Sequence, residues 1–189
     1  MIRIAVVGDV GAGKSHIAKL FKLPIFNADL EVAKIYKTNK QCYKDLKKKL
    51  PKYFSSRTIK KEEIIKAIID SEKNLKKITK IVHPAIRKKL NTFLKNNKKK
   101  DVVILDIPLL LENRLNQKED IIIFIQSKKI EAIKRLKKRD NFNLDLLNKL
   151  KKMQLPPSYK KKKSHFIIKN NFTNKSAKMS VIKILKKIL

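Results

Sequence analysis

All three glycines of the chain fall within a short stretch that ends in a lysine and a serine. Gly8, Gly11 and Gly13 precede Lys14 and Ser15 in VVGDVGAGKS, which fits G-x-x-x-x-G-K-[ST] at every fixed position. Glycine permits positive φ and leaves no Cβ in the way, so successive backbone N–H groups can point inward around a phosphate. The stretch therefore predicts a loop that binds the phosphates of a nucleoside triphosphate.

The residues at the end of this loop have distinct expected roles. Ala12 belongs to the loop, and the N–H groups of Lys14, Ser15 and His16 open the following helix, whose positive end attracts phosphate. Lys14 is expected to reach the β- and γ-phosphates, and the Ser15 hydroxyl to ligate Mg²⁺. His16 is interpreted as a helix residue beside the nucleotide, because phosphoryl transfer needs positioning and charge neutralisation more than proton donation.

Two aspartates follow apolar runs that predict strands. Ligands of an open α/β sheet gather at the carboxyl ends of its strands, which favours Asp29, after IFNA, as acceptor of the proton of an attacking hydroxyl. Asp29 as the cap of a helix starting at Leu30 stays open as the alternative. Asp106 is either a second metal-binding acid or the acceptor of a hydrogen bond from Ser15 or a loop amide.

The elements that position these residues alternate between strands and helices. Apolar runs predict strands, and segments with apolar residues three and four apart predict helices between them. Most of the runs are continuously apolar, which is typical of strands covered on both faces of a parallel sheet. The fold class is therefore α/β, with a roughly five-stranded parallel sheet flanked by helices; the strands are expected at 2–7, 25–28, 102–107, 121–126 and 166–168.

Two stretches exceed what one crossover helix needs. About seventy residues separate the second and third strands, which predicts a helical acceptor-binding insertion at 30–100 within a single domain, 1–189. Pro84 is expected in the first turn of a helix, holding His83 out of helical geometry. Residues 128–164 are expected to form a helical lid, and the C-terminal segment VIKILKKIL to pack against the core.

Composition excludes several classes of protein. The net charge of +33 comes from lysines scattered through every segment without interleaved aromatic residues, so we expect a diffuse basic surface and no specific nucleic-acid binding. No apolar run reaches the length of a membrane span, so no membrane partner is expected. A single cysteine suits a reducing compartment, and we expect a cytoplasmic protein that is a monomer, with a small oligomer as the alternative.

The chain resembles the dephospho-CoA kinase family of P-loop kinases over essentially its whole length. The glycine loop, NAD before a helix, IVHPAIRKKL, DVVILDIPLLLE, RLKKRD and MQLP…HFIIKNN occur in that order and at similar spacing. The resemblance implies transfer of the γ-phosphate of ATP to the ribose 3'-hydroxyl of dephospho-CoA. It further implies a P-loop kinase fold and two substrates, ATP and dephospho-CoA.

The resemblance also assigns individual residues. Asp29 matches the family's proposed base, while His83 and Arg87 match the part of the insertion that accommodates the CoA substrate. Arg139 matches the lid arginine that approaches the ATP phosphates, where a guanidinium offers two parallel donors. Asn170 lies where the family's chain passes the adenine.

Departures from the family pattern bear on the charge of the site. Asn27 replaces the first aspartate of the usual DAD, and Asp9 stands where a second glycine is usual, adding a negative charge near the triphosphate. The stretch before Asp29 is short, and Lys169 replaces the usual acid before Asn170. Asn27 and Asp9 are expected to affect affinity or metal preference.

Two other functions remain open from the residues alone. A nucleoside monophosphate kinase of the same fold would need an arginine-rich acceptor pocket, and the insertion has only Arg57 and Arg87. A nucleotide-switched nucleic-acid-binding protein would need a basic face with stacking aromatic residues, which a chain with 6% aromatic residues and no tryptophan does not favour.

Overall fold

A computed structural model describes residues 1–138 and 142–189 of the chain. The chain divides into two compact units. The first comprises Met1–Asn27, Asn97–Asn143 and Leu150–Leu189, and the second comprises Ala28–Asn96 and Leu144–Lys149.

The first unit contains a five-stranded parallel sheet within the described residues, in the order β2-β3-β1-β4-β5. All five predicted strands are confirmed, with shifts of one residue at some ends. β2 ends at Asn27 because Ala28 already belongs to the next helix. The strands are β1 (Ile2–Gly8), β2 (Ile25–Asn27), β3 (Val102–Asp106), β4 (Ile121–Gln126) and β5 (Phe166–Lys169).

Four helices of the described chain lie wholly in the first unit: α1 (Lys14–Leu20), α6 (Lys129–Lys137), α8 (Pro157–Lys162) and α9 (Asn174–Ile188). Ile17 of α1 and Val181 of α9 join the fully buried strand residues Ile4, Ile104 and Ile123 in one apolar core. The predicted packing of the C-terminal helix against the core is thereby confirmed.

The second unit is helical. It comprises α2 (Ala28–Thr38), α3 (Lys40–Lys49), α4 (Lys61–Asp70), α5 (Glu72–Asn96) and the first residues of α7 (Leu144–Lys152). Helices α2, α3 and α4 each contact α5, the longest element of the unit. No helix in the described ranges combines the length and the apolar character that crossing a bilayer requires.

The expectation that Pro84 begins a helix is wrong. Helix α5 runs through both His83 and Pro84. A proline inside a helix removes one hydrogen bond and costs about 3 kcal/mol. Pro84 lies on the exposed side of α5, while the buried face of the helix continues past it from Val82 to Ile86. Burial of that face keeps the helix continuous, because packing of an apolar stripe contributes more to helical stability than local propensity.

Candidate active site

The glycine stretch forms the connection between β1 and α1, as the sequence predicts. Gly13 has φ 92° and directly precedes α1, and a Cβ there would collide with the side-chain amide of Asn170. Gly8 has φ 152°, and a Cβ there would lie 2.6 Å from the carbonyl oxygen of Ile125. Close approach to neighbouring atoms together with positive φ therefore requires glycine at both ends of the loop.

The lysine of the loop folds back over it. Lys14 Nζ donates to the carbonyl oxygens of Gly8 (3.1 Å) and Asp9 (3.0 Å). Ser15 and His16 follow in the first turn of α1, and both are exposed. An ammonium group held at the mouth of a glycine loop, beside the start of a helix, forms an anion-binding arrangement.

Asp9 directs its carboxylate to a buried lysine. Its Oδ1 lies 3.2 Å from Nζ of Lys160, whose side chain is only 2% exposed. The negative charge that the sequence places near the triphosphate is thus paired within the protein. Sequence reasoning missed Lys160, since it stands in the run YKKKK beside three other lysines.

Gln154 also holds the loop and was not identified from the sequence. Its Oε1 accepts a hydrogen bond from the backbone N–H of Val10 (3.2 Å), and its Nε2 donates to the carbonyl oxygen of Gly8 (3.5 Å). The two backbone neighbours of Asp9 are therefore bound by one side chain. The glutamine lies in the stretch MQLP, which belongs to the resemblance described above, so that stretch carried the only signal for it.

Asn27 and Asp106 form a pair at the carboxyl ends of adjacent strands. The two residues are in register between β2 and β3, and Asn27 Nδ2 donates to Asp106 Oδ2 at 2.6 Å. Asp106 is 3% exposed, so its carboxylate needs a donor. Asp106 is thus a hydrogen-bond acceptor, and its donor is Asn27. Its role as a second metal-binding acid stays a prediction.

Asn170 joins the loop to the segment after β5. Its Nδ2 donates to the carbonyl oxygen of Ala12 (2.8 Å), and its Oδ1 accepts from the backbone N–H of Phe172 (2.9 Å). Phe172 has φ 63°, and its ring lies 4.6 Å from the guanidinium carbon of Arg135. Asn170 is 4% exposed, so the structure gives it a bracing position under the loop.

A cavity of about 610 Å³ adjoins the loop within the first unit. Its volume lies in the range of small-molecule sites. Asp9, Val10 and Ala12 line it from the loop, and Gln126 and Ser127 line it from the end of β4. The carboxyl edge of the sheet thus carries both the anion-binding loop and the concave surface that a ligand needs.

The predicted acceptor residues lie in the second unit. Asp29 stands in the first turn of α2, which begins at Ala28. The alternative that Asp29 caps a helix starting at Leu30 is therefore wrong.

His83 and Arg87 lie one turn apart on α5. Burial, together with the nearby Arg87 guanidinium, lowers the pKa of His83. Arg87 lies with Lys88 along an open groove on the surface of this helix. Arg139 lies outside the described residues.

Solved structures of similar fold support the architecture. A crystal structure of a Thermus thermophilus protein matches with a TM-score of 0.81 and 21% identity, covering 100% of this chain and 97% of the other. The dephospho-CoA kinase from Campylobacter jejuni matches with a TM-score of 0.64 and 22% identity, covering 98% and 96%. At these identities the likeness establishes the fold.

The parallel sheet and its glycine loop define a P-loop kinase. The sequence model of dephospho-CoA kinase matches residues 2–176 of the chain. The chain belongs to the dephospho-CoA kinase family, the ATP-dependent kinases that phosphorylate dephospho-CoA in coenzyme A biosynthesis.

Curated relatives agree with the family match. A dephospho-CoA kinase of Wolbachia sp. subsp. Brugia malayi is 32% identical over 185 residues, covering 95% of this chain and 94% of the relative. The enzyme of Wolbachia pipientis wMel is 31% identical over 170 residues, covering 87% of each chain. The similarity therefore extends over nearly the full length of these relatives.

Proposed function

We propose that this chain transfers the γ-phosphate of ATP to the ribose 3'-hydroxyl of dephospho-CoA, giving coenzyme A and ADP. The observation that carries the proposal is the glycine loop folded between β1 and α1 with the Lys14 ammonium over it. It occurs in a chain that the dephospho-CoA kinase model matches from residue 2 to residue 176. The match across the acceptor-side insertion separates this function from that of other P-loop kinases.

The donor side of the reaction is assigned to the first unit. The loop from Gly8 to Gly13, including Gly11 and Ala12, surrounds the phosphates with those backbone N–H groups that are not bound within the protein, as those of Val10 and Ala12 are. The N–H groups of Ser15 and His16 extend this surface into α1. Lys14 leaves the loop carbonyls when the triphosphate enters and neutralises charge on its β- and γ-phosphates. Catalysis by these groups is positioning and electrostatic stabilisation.

The residues at the loop fit a magnesium ion. The hydroxyl of Ser15 is exposed at the first turn of α1, and Mg²⁺ prefers oxygen ligands. No cluster of three or more acidic, histidine or cysteine side chains suited to a metal occurs among the described residues. That agrees with Mg²⁺ held by few protein atoms, with waters and substrate phosphates completing its shell. Bound there through Ser15, the ion would neutralise charge on the phosphate oxygens.

The acceptor side is assigned to the second unit. Asp29 lies two residues beyond the end of β2, and we assign it the role of accepting the proton of the attacking 3'-hydroxyl. His83 and Arg87 bind the CoA substrate. Burial and the Arg87 charge keep His83 neutral near pH 7, so it offers one donor and one acceptor to a polar group.

Two further residues are assigned to the nucleotide site. Arg139 is proposed to approach the ATP phosphates from the lid, where its fixed charge stabilises the transferring group. Asn170 is proposed to act on the nucleotide site through the loop, since both ends of its amide are bound by the protein.

An acceptor panel tests the proposal. The purified chain is given MgATP with dephospho-CoA, AMP or single-stranded DNA separately, and ADP release is followed in a coupled assay. Stimulation by dephospho-CoA alone is expected. Stimulation by AMP would favour a nucleoside monophosphate kinase, stimulation by DNA would favour a nucleic-acid-linked ATPase, and either result without a response to dephospho-CoA would refute the proposal.

A further inference from the structure

The buried lysine beside the phosphate loop stands apart from the other cations of this basic chain. Of the lysines and arginines that the structure describes, only Lys160 is buried, with 1% of the residue exposed. Its neighbours in α8, Lys161 and Lys162, are exposed. An ammonium group removed from water is costly unless it is paired and hydrogen-bonded, so a buried lysine needs partners that justify its position.

Two carboxylates provide these partners, and they come from different parts of the first unit. Asp9 Oδ1 in the loop lies 3.2 Å from Lys160 Nζ, and Glu112 Oε1, which follows β3 along the chain, lies 3.4 Å away. The Glu112 oxygen also accepts the backbone N–H of Leu155 at 3.0 Å. Lys160 therefore ties the loop to two other segments of the unit.

The two carboxylates differ in exposure. The Glu112 side chain is 11% exposed, whereas that of Asp9 is 48% exposed. Asp9 stands one residue after Gly8, in the loop that binds the triphosphate. Charges separated by a few ångströms near a protein surface interact strongly, so an unpaired Asp9 would repel the phosphates.

We propose that Lys160 is a positioning residue for ATP binding, which neutralises Asp9 and fixes its carboxylate away from the triphosphate. The inference rests on the assignment of the loop as the ATP site. It explains how the chain tolerates an acid in a loop that binds an anion. Lys160 acts through Asp9 and Gln154 holds the adjacent backbone, so the loop is fixed before nucleotide arrives.

The test separates the electrostatic role from a role in folding. Lys160→Met alone would leave Glu112 buried without its partner, so both test variants also carry Glu112→Gln. The first is Lys160→Met/Glu112→Gln, which retains Asp9, and the second adds Asp9→Asn. The two proteins differ in one charge only.

The dissociation constant for MgATP is measured by calorimetry without acceptor. The variant that retains Asp9 is expected to bind MgATP at least about tenfold more weakly than wild type, a difference of about 1.4 kcal/mol. Adding Asp9→Asn should restore affinity to within about threefold of wild type. Equal affinity of the two variants would overturn the proposal, as would restoration of less than twofold.

Two control variants show whether the effect comes from the charge of Lys160 itself and not from the loss of any lysine in this helix. Lys162→Met removes an exposed lysine from the same helix and should bind MgATP within about twofold of wild type. Lys160→Arg keeps the positive charge and should bind MgATP more tightly than Lys160→Met/Glu112→Gln, which retains Asp9. Because the measurement is equilibrium binding, a wild-type chain that binds MgATP without phosphorylating dephospho-CoA would refute the proposed function and leave this test valid.

Discussion

Asn170 offers the sharpest test of how the loop is supported from below. Its side chain donates to the carbonyl of Ala12 at 2.8 Å and accepts from the N–H of Phe172 at 2.9 Å. Both Asn170 and Ala12 are almost fully buried, at 4% and 1% exposure. Asn170→Ala removes both hydrogen bonds and leaves the carbonyl of the almost fully buried Ala12 without this partner.

The geometry sets the size of the effect. Each intramolecular hydrogen bond contributes about 0.5–1.5 kcal/mol net, and a buried group left unsatisfied costs about 1–3 kcal/mol. Two bonds lost at one residue therefore predict a decrease of about 2–4 kcal/mol in the free energy of unfolding. For a chain of this size, that corresponds to a decrease of roughly 5–15 °C in Tm.

Urea unfolding followed by circular dichroism measures this free energy directly. Lys169→Ala is the control, because Lys169 precedes Asn170 and is exposed, and its effect should stay below about 0.5 kcal/mol. MgATP binding by Asn170→Ala should also weaken, since the loop loses its brace. A loss of stability below about 0.5 kcal/mol for Asn170→Ala would refute the reasoning.

Three shorter predictions address other parts of the chain. Asp29→Asn should lower kcat at least about 100-fold with nearly unchanged ATP affinity, and turnover like wild type would exclude Asp29 as the base. Burial tends to raise the pKa of Glu63, but hydrogen bonds from backbone N–H groups, including those of Ser56 and Lys60, outweigh it and lower the pKa. Ionised Glu63 therefore stabilises the fold above the unfolded pKa of about 4.3. Glu63→Gln should be destabilising at pH 7 in urea unfolding, and the difference should vanish as the pH falls through the folded pKa; a constant difference would contradict this. Burial, followed by the charge of Asp45, raises the pKa of Cys42 to about 11, so alkylation at pH 8 should be much slower than for a free thiol, and equal rates would contradict the burial.

The sequence was sufficient to predict the elements whose pattern is local. Continuous apolar runs predicted the five strands, because burial on both faces of a parallel sheet leaves a simple signature. The glycine loop was predicted from Gly8 to Ser15, since its chemistry demands particular residues at fixed spacing. The packing of the C-terminal helix through Val181 and Ile184 followed from apolar residues three apart.

Contacts between distant residues were beyond the same reasoning. The run YKKKK gives no sign that Lys160 is buried and its neighbours are exposed, because that depends on Asp9, 151 positions away. The partnership of Asn27 with Asp106 likewise depends on strand register. Pro84 misled because its local effect on a helix is strong, and tertiary packing of α5 overrides it.

The position of the phosphate on the product tests the central claim most directly. Wild-type chain is incubated with MgATP and dephospho-CoA, and the product is analysed by phosphorus NMR and mass spectrometry. The account predicts ADP and one new phosphomonoester on the ribose 3'-oxygen, formed in equal amounts. ADP formation with no phosphorylated dephospho-CoA, or a phosphate at another position, would contradict it.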